Sequence, residues 1–170
     1  VVCTALTHIN FGCNFNCPLF NSLKKCSALT YIVFGNDFNQ PLDSLLDNCS
    51  SLVHLSLGFK FNQKLSIPLN IRSLSLDSNN GNYGDYLPDT IEELELGYNF
   101  NLKLNNCPSS IKKIIFFVDV MDIYHYVKNY TYDEELNCLP DGLSILQLPY
   151  NYKHKIQNIP SRLTKLVCHE

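Results

Sequence analysis

Apolar residues recur along the chain in a fixed phrase, apolar-x-x-apolar-x-apolar. It occurs at Leu6/Ile9/Phe11, Leu29/Ile32/Phe34, Leu52/Leu55/Leu57, Ile71/Leu74/Leu76, Ile91/Leu94/Leu96, Ile111/Ile114/Phe116 and Leu143/Leu146/Leu148. A last copy, Leu163/Leu166/Cys168, places cysteine in the third slot. The first residues of successive phrases are separated by 23, 23, 19, 20, 20, 32 and 20 positions. Within each phrase the second and third slots are two apart, the period of a short strand with one buried face.

One such strand cannot bury its face alone. Copies that return every ~20–23 residues have the spacing of leucine-rich repeats, which stack, pair their strands in parallel and share one continuous core. The expected fold class is α/β: a leucine-rich-repeat solenoid of about eight repeats, with a curved parallel sheet and short helices or turns on the convex side. In Pro41 to Leu52, Leu42, Leu45/Leu46, Cys49 and Leu52 follow at three-to-four spacing after a proline suited to a first helical turn, which predicts a short helix. Pro18 to Leu29 repeats the pattern with Leu19, Leu23 and Cys26. The later returns, Leu87-Pro-Asp-Thr-Ile91 and Leu139-Pro-Asp-Gly-Leu143, are too short for more than a turn. Residues 1–170 read as a single domain with an insertion near 117–138. The chain opens at Val1-Val2-Cys3 without methionine and already in register, so further sequence upstream is expected.

A second phrase follows the strands. Phe11-Gly-Cys-Asn-Phe-Asn-Cys-Pro-Leu19, Phe34-Gly-Asn-Asp-Phe-Asn-Gln-Pro-Leu42, Leu57-Gly-Phe-Lys-Phe-Asn-Gln-Lys-Leu65 and Leu96-Gly-Tyr-Asn-Phe-Asn-Leu-Lys-Leu104 are near-copies. A weaker copy is Leu148-Pro-Tyr-Asn-Tyr-Lys-His-Lys-Ile156; the fourth and sixth repeats lack Phe-Asn. The pairs Phe15-Asn16, Phe38-Asn39, Phe61-Asn62 and Phe100-Asn101 are assigned structural roles, because stacking places identical residues above one another. Phe is expected to form a buried aromatic spine, and Asn to hydrogen-bond the turns of neighbouring repeats. The glycines before them are expected to let the strand bend into the turn.

These copies resemble the FNIP repeat, a leucine-rich-repeat variant known from dictyostelid amoebae and from giant viruses that infect amoebae. The resemblance covers nearly the whole chain. It implies a protein-interaction scaffold, and more narrowly the substrate-selecting repeats of an F-box-type ubiquitin ligase adaptor. No F-box lies in these residues, and the start at Val1, already in repeat register, leaves room for one upstream. A catalytic ubiquitin ligase of bacterial type also uses ~20-residue Leu-Pro-x-x-Leu repeats, but it needs a separate cysteine-bearing domain that is absent here.

Composition narrows the partners. Apolar residues make up 45% and charged residues only 17%, with 20 Asn but 2 Ala and 2 Arg, the usage of an AT-rich genome. A net charge of −3 without a basic run gives no stripe for nucleic acid, and no apolar run is long enough for a membrane span. The expected partner is a protein, contacted by a monomer with no cofactor and no bound metal.

Eight cysteines raise disulfides or zinc, yet their positions follow the repeat. Cys3, Cys26 and Cys49 each stand three before a first-slot residue, Cys107 and Cys138 lie in return segments, and Cys168 fills a strand slot. Free cysteine packs as a small hydrophobe, so six of the eight are expected to be packed thiols. Cys13 and Cys17 stand outside that explanation. A reducing, intracellular setting follows, the cytoplasm (of a host cell if the source is viral). A structural protein of a virion or cell surface is the alternative, and would require an oxidised or glycosylated chain.

Recognition is expected where the strands face away from the core. One outward column reads His8, Tyr31, His54, Ser73, Glu93, Lys113, Ile145, Lys165, and the next reads Asn10, Val33, Ser56, Ser75, Glu95, Ile115, Gln147, Val167. No nucleophile, base and orienting group recur there, so no enzyme activity is expected. The candidate partner-binding residues on this concave face are His8, Tyr31, Val33, His54, Glu93, Glu95 and Lys113. The segment Phe117 to Glu135 adds Tyr124, Tyr126 and Tyr130 as candidate contact residues, an aromatic-polar mix favoured at interfaces.

Overall fold

The computed structural model describes residues 3–42, 45–65, 67–77, 87–117, 132–150 and 152–169. Eight short strands, β1 (His8–Asn10), β2 (Tyr31–Val33), β3 (His54–Leu57), β4 (Ser73–Leu76), β5 (Glu93–Leu96), β6 (Lys113–Phe116), β7 (Ile145–Gln147) and β8 (Lys165–Val167), form one sheet. They lie side by side in chain order, and every neighbouring pair is parallel. The second slot of each phrase lines up in a single row: Ile9, Ile32, Leu55, Leu74, Leu94, Ile114, Leu146, Leu166. Inside that row Ile32, Leu55, Leu74, Leu94 and Ile114 are fully buried. At the end strands burial fades, with Ile9 only partly covered and Leu166 42% exposed. The apolar periodicity therefore becomes one solenoid core shared by successive turns.

Among the described residues there is no helix, so the short helices expected in the first two returns are not found there. The chain instead takes a series of single turns. Cys26 N–H donates to Leu23 O at 2.9 Å and Leu29 N–H to Cys26 O at 3.1 Å. The next return repeats this, with Cys49 N–H on Leu46 O at 2.9 Å and Leu52 N–H on Cys49 O at 3.0 Å. These bonds span three residues, and among the described residues of the two returns none is the i→i−4 bond of an α-helix. Width supplies the reason. An α-helix is ~10 Å across whereas parallel strands sit ~4.8 Å apart, so a turn stacks on its neighbour at strand spacing more easily than a helix does.

The same three-residue turn closes the later returns, where proline holds the acceptor position. Ile71, Ile91, Ile111, Leu143 and Leu163 donate their N–H groups to Pro68, Pro88, Pro108, Pro140 and Pro160 at 3.0–3.2 Å. Cys26 and Cys49 thus occupy the slot that proline fills later, and they are buried. The expectation of six packed thiols holds for fewer. Cys107 is half-buried, while Cys3, Cys138 and Cys168 are exposed, as are Cys13 and Cys17. Cys3 belongs to the first return, and Cys168 directly follows β8.

The Phe-Asn turns stack directly. The rings of Phe15 and Phe38 are 6.1 Å apart and those of Phe38 and Phe61 6.2 Å, within 7° of parallel. Phe38 and Phe61 are fully buried, and Phe15 at the outer end is partly covered. Asn16 Oδ1 accepts the N–H of Asn39 at 2.8 Å, and Asn39 Oδ1 accepts the N–H of Asn62 at 2.9 Å. Gln40 and Gln63 donate Nε2 to the same two oxygens at 3.0 and 2.9 Å.

Glycine serves a different purpose from the expected bend. No glycine among the described residues has positive φ. A Cβ on Gly35 would lie 2.5 Å from Gly12 O, and one on Gly58 would lie 2.6 Å from Gly35 O. Gly35 and Gly58 are needed because the backbone there rests on that of the preceding repeat.

The insertion also moves. Tyr132 is buried, and its ring continues the Phe100 stack at 6.2 Å and 11°. Its neighbour Asp133 donates its N–H to Asn101 Oδ1 at 2.8 Å. Tyr132-Asp133 is therefore the sixth repeat's version of Phe-Asn, and the added residues fall between Phe117 and Tyr132 instead of spanning 117–138. Tyr124, Tyr126 and Tyr130 lie outside the described residues.

Candidate functional site

The outward face of the sheet carries two columns in strict register. His8, Tyr31, His54, Ser73, Glu93, Lys113, Ile145 and Lys165 pair one after another across the eight strands, and Asn10, Val33, Ser56, Ser75, Glu95, Ile115 and Gln147 run alongside. Alternation along each strand puts the aliphatic side chains in the core and leaves these outside.

Three rings stack at the β1–β3 end. His8 and Tyr31 are 5.5 Å apart at 28°, and Tyr31 and His54 are 4.0 Å apart at 6°. Parallel strands ~4.8 Å apart bring such rings into face contact, so the column shows their edges to solvent. His54 Nδ1 meets Ser73 Oγ at 3.0 Å on the next strand. Half-burial pushes the His54 imidazole below its ordinary pKa of 6.5, opposed by the nearby Glu93 carboxylate. Val33 stands two residues beyond Tyr31 on the same outward face of β2, so the aromatic column has an apolar neighbour in the adjoining row.

Charge is concentrated on β4–β6. Glu93 pairs with Lys113 Nζ at 3.2 Å. Immediately before the strands, Glu92 takes Lys112 Nζ at 2.6 Å and Arg72 Nε at 4.0 Å. The hydrogen bond from Lys112, and then its charge, hold the Glu92 carboxyl below its ordinary range. Glu95 lies between Ser75 and Ile115 in its row and has no ion pair among the described residues. A groove of about 360 Å³ runs past the strand ends, lined by the glycine ridge, Ser75, Asp77 and Tyr98. Burial raises the Asp77 carboxyl above its ordinary pKa against two hydrogen bonds from Asn99, whose N–H and Nδ2 reach Oδ1 at 3.2 and 3.3 Å.

The face thus brings together His8, Tyr31 and His54 as one stack, and Glu93 with Lys113 as one ion pair, while Glu95 stands apart. The Ser73–His54 contact lacks the third member of a hydrolytic set. The nearby Glu93 is ion-paired to Lys113, and no carboxylate hydrogen-bonds to His54 among the described residues. Among the described residues no group of three or more His, Cys, Asp or Glu is placed to hold a metal ion, and no helix is long and apolar enough to cross a membrane. The repeat reading did not find the Tyr132–Tyr152 buttress, in which Tyr132 OH donates to Leu102 O at 3.1 Å and Tyr152 OH to Glu134 O at 3.3 Å. The tyrosine in the weak copy at Tyr152 was the signal that could have found it.

The parallel sheet, its single core row and the stacked turns define a β-solenoid of leucine-rich-repeat type. The FNIP repeat family model matches residues 84–117, which hold the Phe100-Asn101 phrase. Among solved structures the chain is similar to CroV588, described as a novel circular LRR protein, with 26% identity, a TM-score of 0.72 and 98% of this chain covered. The chain spans 24% of the length of that protein. No curated protein matches it.

Proposed function

We propose that the chain is a protein-binding scaffold whose outward sheet face contacts the partner through His8, Tyr31, Val33, His54, Glu93, Glu95 and Lys113. The observation that carries this reading is the ordered Tyr31–His54 stack on the open side of the sheet, where it plays no part in the core. Residue type there changes from strand to strand, while the core row stays aliphatic throughout. A solenoid face of this kind supplies many adjacent positions at fixed spacing, which suits a specific protein contact. In this reading the chain works as a monomer in the cytoplasm, with no nucleic-acid or membrane partner. Tyr124, Tyr126 and Tyr130 extend the contact.

Selection of displayed protein fragments on the immobilised chain tests this. Selected binders are expected to lose affinity for Tyr31→Ala and Glu93→Lys variants of unchanged melting temperature, and to keep it for Lys24→Ala, an exposed substitution in a return. Binders indifferent to both outward substitutions would overturn it. A narrower form makes these the substrate-selecting repeats of an F-box-type ubiquitin ligase adaptor, and it rests on the FNIP phrase alone. Its test is co-purification of cullin-ligase components with the chain and its flanking sequence; failure to recover them removes the narrower form and leaves the scaffold.

A further inference from the structure

We propose that the partner segment is extended, sets a Lys or Arg against Glu95, and lays an aromatic or branched apolar side chain over the Tyr31–His54 stack about four residues away along its own chain. This rests on the proposed face being the binding face.

The charges on β4–β6 largely cancel internally. Arg72, Glu92 and Lys112 form one chain of ion pairs, and Glu93 and Lys113 form another pair. Glu95 is left over: its row neighbours are Ser75 and Ile115, and neither can neutralise it. A partner lying on this face removes water from Glu95. An unpaired carboxylate taken out of water costs several kcal/mol, so an uncharged or acidic segment is rejected there and a cation is selected. The other end of the face asks for something different. Tyr31 and His54 are already stacked on each other, and His54 Nδ1 is engaged with Ser73, so the pair presents ring edges with Val33 in the adjoining outward row. Apolar or aromatic contact suits that end better than charge.

Spacing joins the two ends. Glu95 on β5 lies two and a half strand intervals from the middle of the β2–β3 stack, ~12 Å at the usual parallel separation. An extended chain crossing the strands advances ~3.3 Å per residue, which gives about four residues between the two partner side chains.

A random twelve-residue peptide library, displayed and selected in parallel on the wild-type chain and on Glu95→Lys, reads this directly. The wild-type pool is expected to carry Lys or Arg about four residues from an aromatic or branched apolar residue. The Glu95→Lys pool is expected to exchange that cation for Asp or Glu at the same spacing. A wild-type peptide should bind the isosteric Glu95→Gln about tenfold more weakly, with both variants checked for unchanged melting. Pools that depend on Tyr31 but share one composition on both baits overturn this inference alone. Pools that do not depend on Tyr31 overturn the binding face itself, and the inference with it.

Discussion

The side-chain oxygen of Asn39 accepts the Asn62 N–H at 2.9 Å and Gln63 Nε2 at the same distance, so one oxygen ties the second turn to the third. Replacing Asn39 with alanine leaves both donors without their acceptor. Asn39→Ala is expected to lower unfolding free energy by about 1–3 kcal/mol in urea titration. Asn39→Asp keeps the oxygen and should lose less, since Asp133 stands in this slot in the sixth repeat. Equal losses for the two would contradict the role given to that oxygen.

Backbone rests on backbone along the glycine ridge, and this separates otherwise similar residues. Gly58→Ala would press a Cβ to 2.6 Å from Gly35 O, whereas a Cβ on Gly12 meets nothing within 4 Å. Gly58→Ala and Gly35→Ala are expected to destabilise by about 1–3 kcal/mol. Gly12→Ala should stay within about 0.5 kcal/mol of wild type. Chemical denaturation of the three variants checks this, and matched losses in all three would point to backbone freedom as the cause.

Most of the architecture was legible in the apolar-x-x-apolar-x-apolar phrase, because a parallel solenoid writes its register into the spacing of its core row. Ile32, Leu55 and Leu74 stand opposite one another as their phrases line up. What failed were the places where stacking changes a local rule. The leucines of the 41–52 return carry helical spacing, but its described residues are joined by three-residue turns. Gly35 and Gly58 look like bends, yet they are close approaches between repeats, which one repeat alone cannot reveal. Tyr132 reads as part of an aromatic insertion until Phe100 is seen stacked against it. On the outward face, the register fixes which residues are neighbours, whereas the Tyr31–His54 stack depends on side-chain orientation that periodicity does not encode.

His54 gives the fold a pH dependence of known sign. Its pKa is lowered chiefly by burial, so the folded chain binds its proton less readily than the unfolded chain. Its contribution is therefore intact above about pH 6.5 and declines as pH falls below that value toward the lower folded pKa. Melting temperature measured from pH 7.5 to 5 should fall less in His54→Gln than in wild type. An identical fall in both would remove His54 from the explanation.

Thiol chemistry should divide the cysteines by place in the stack. Cys3, Cys13, Cys17, Cys138 and Cys168 are exposed, whereas Cys26 and Cys49 are buried with pKa values raised mainly by burial. Burial pushes the Cys107 thiol up to about 12, which removes the reactive thiolate at neutral pH. Under native, reduced conditions at pH 8, five alkylations are expected to be rapid and three to wait for unfolding. Mass mapping of the labelled peptides reads the division, and fast modification of Cys26 or Cys49 would contradict the packing described for them.

The central claim is that the conspicuous Phe-Asn phrase holds the solenoid together while the outward columns recognise the partner. Paired measurement of melting and peptide affinity in Phe38→Leu and Tyr31→Ala tests it most directly, using a peptide selected on the wild-type chain. Phe38→Leu is expected to cost about 1–3 kcal/mol of stability and to leave affinity unchanged while the chain is folded. Tyr31→Ala is expected to keep its melting temperature within a few degrees and to lose about tenfold in affinity. A folded Phe38→Leu that no longer binds, together with a Tyr31→Ala that binds like wild type, would contradict it.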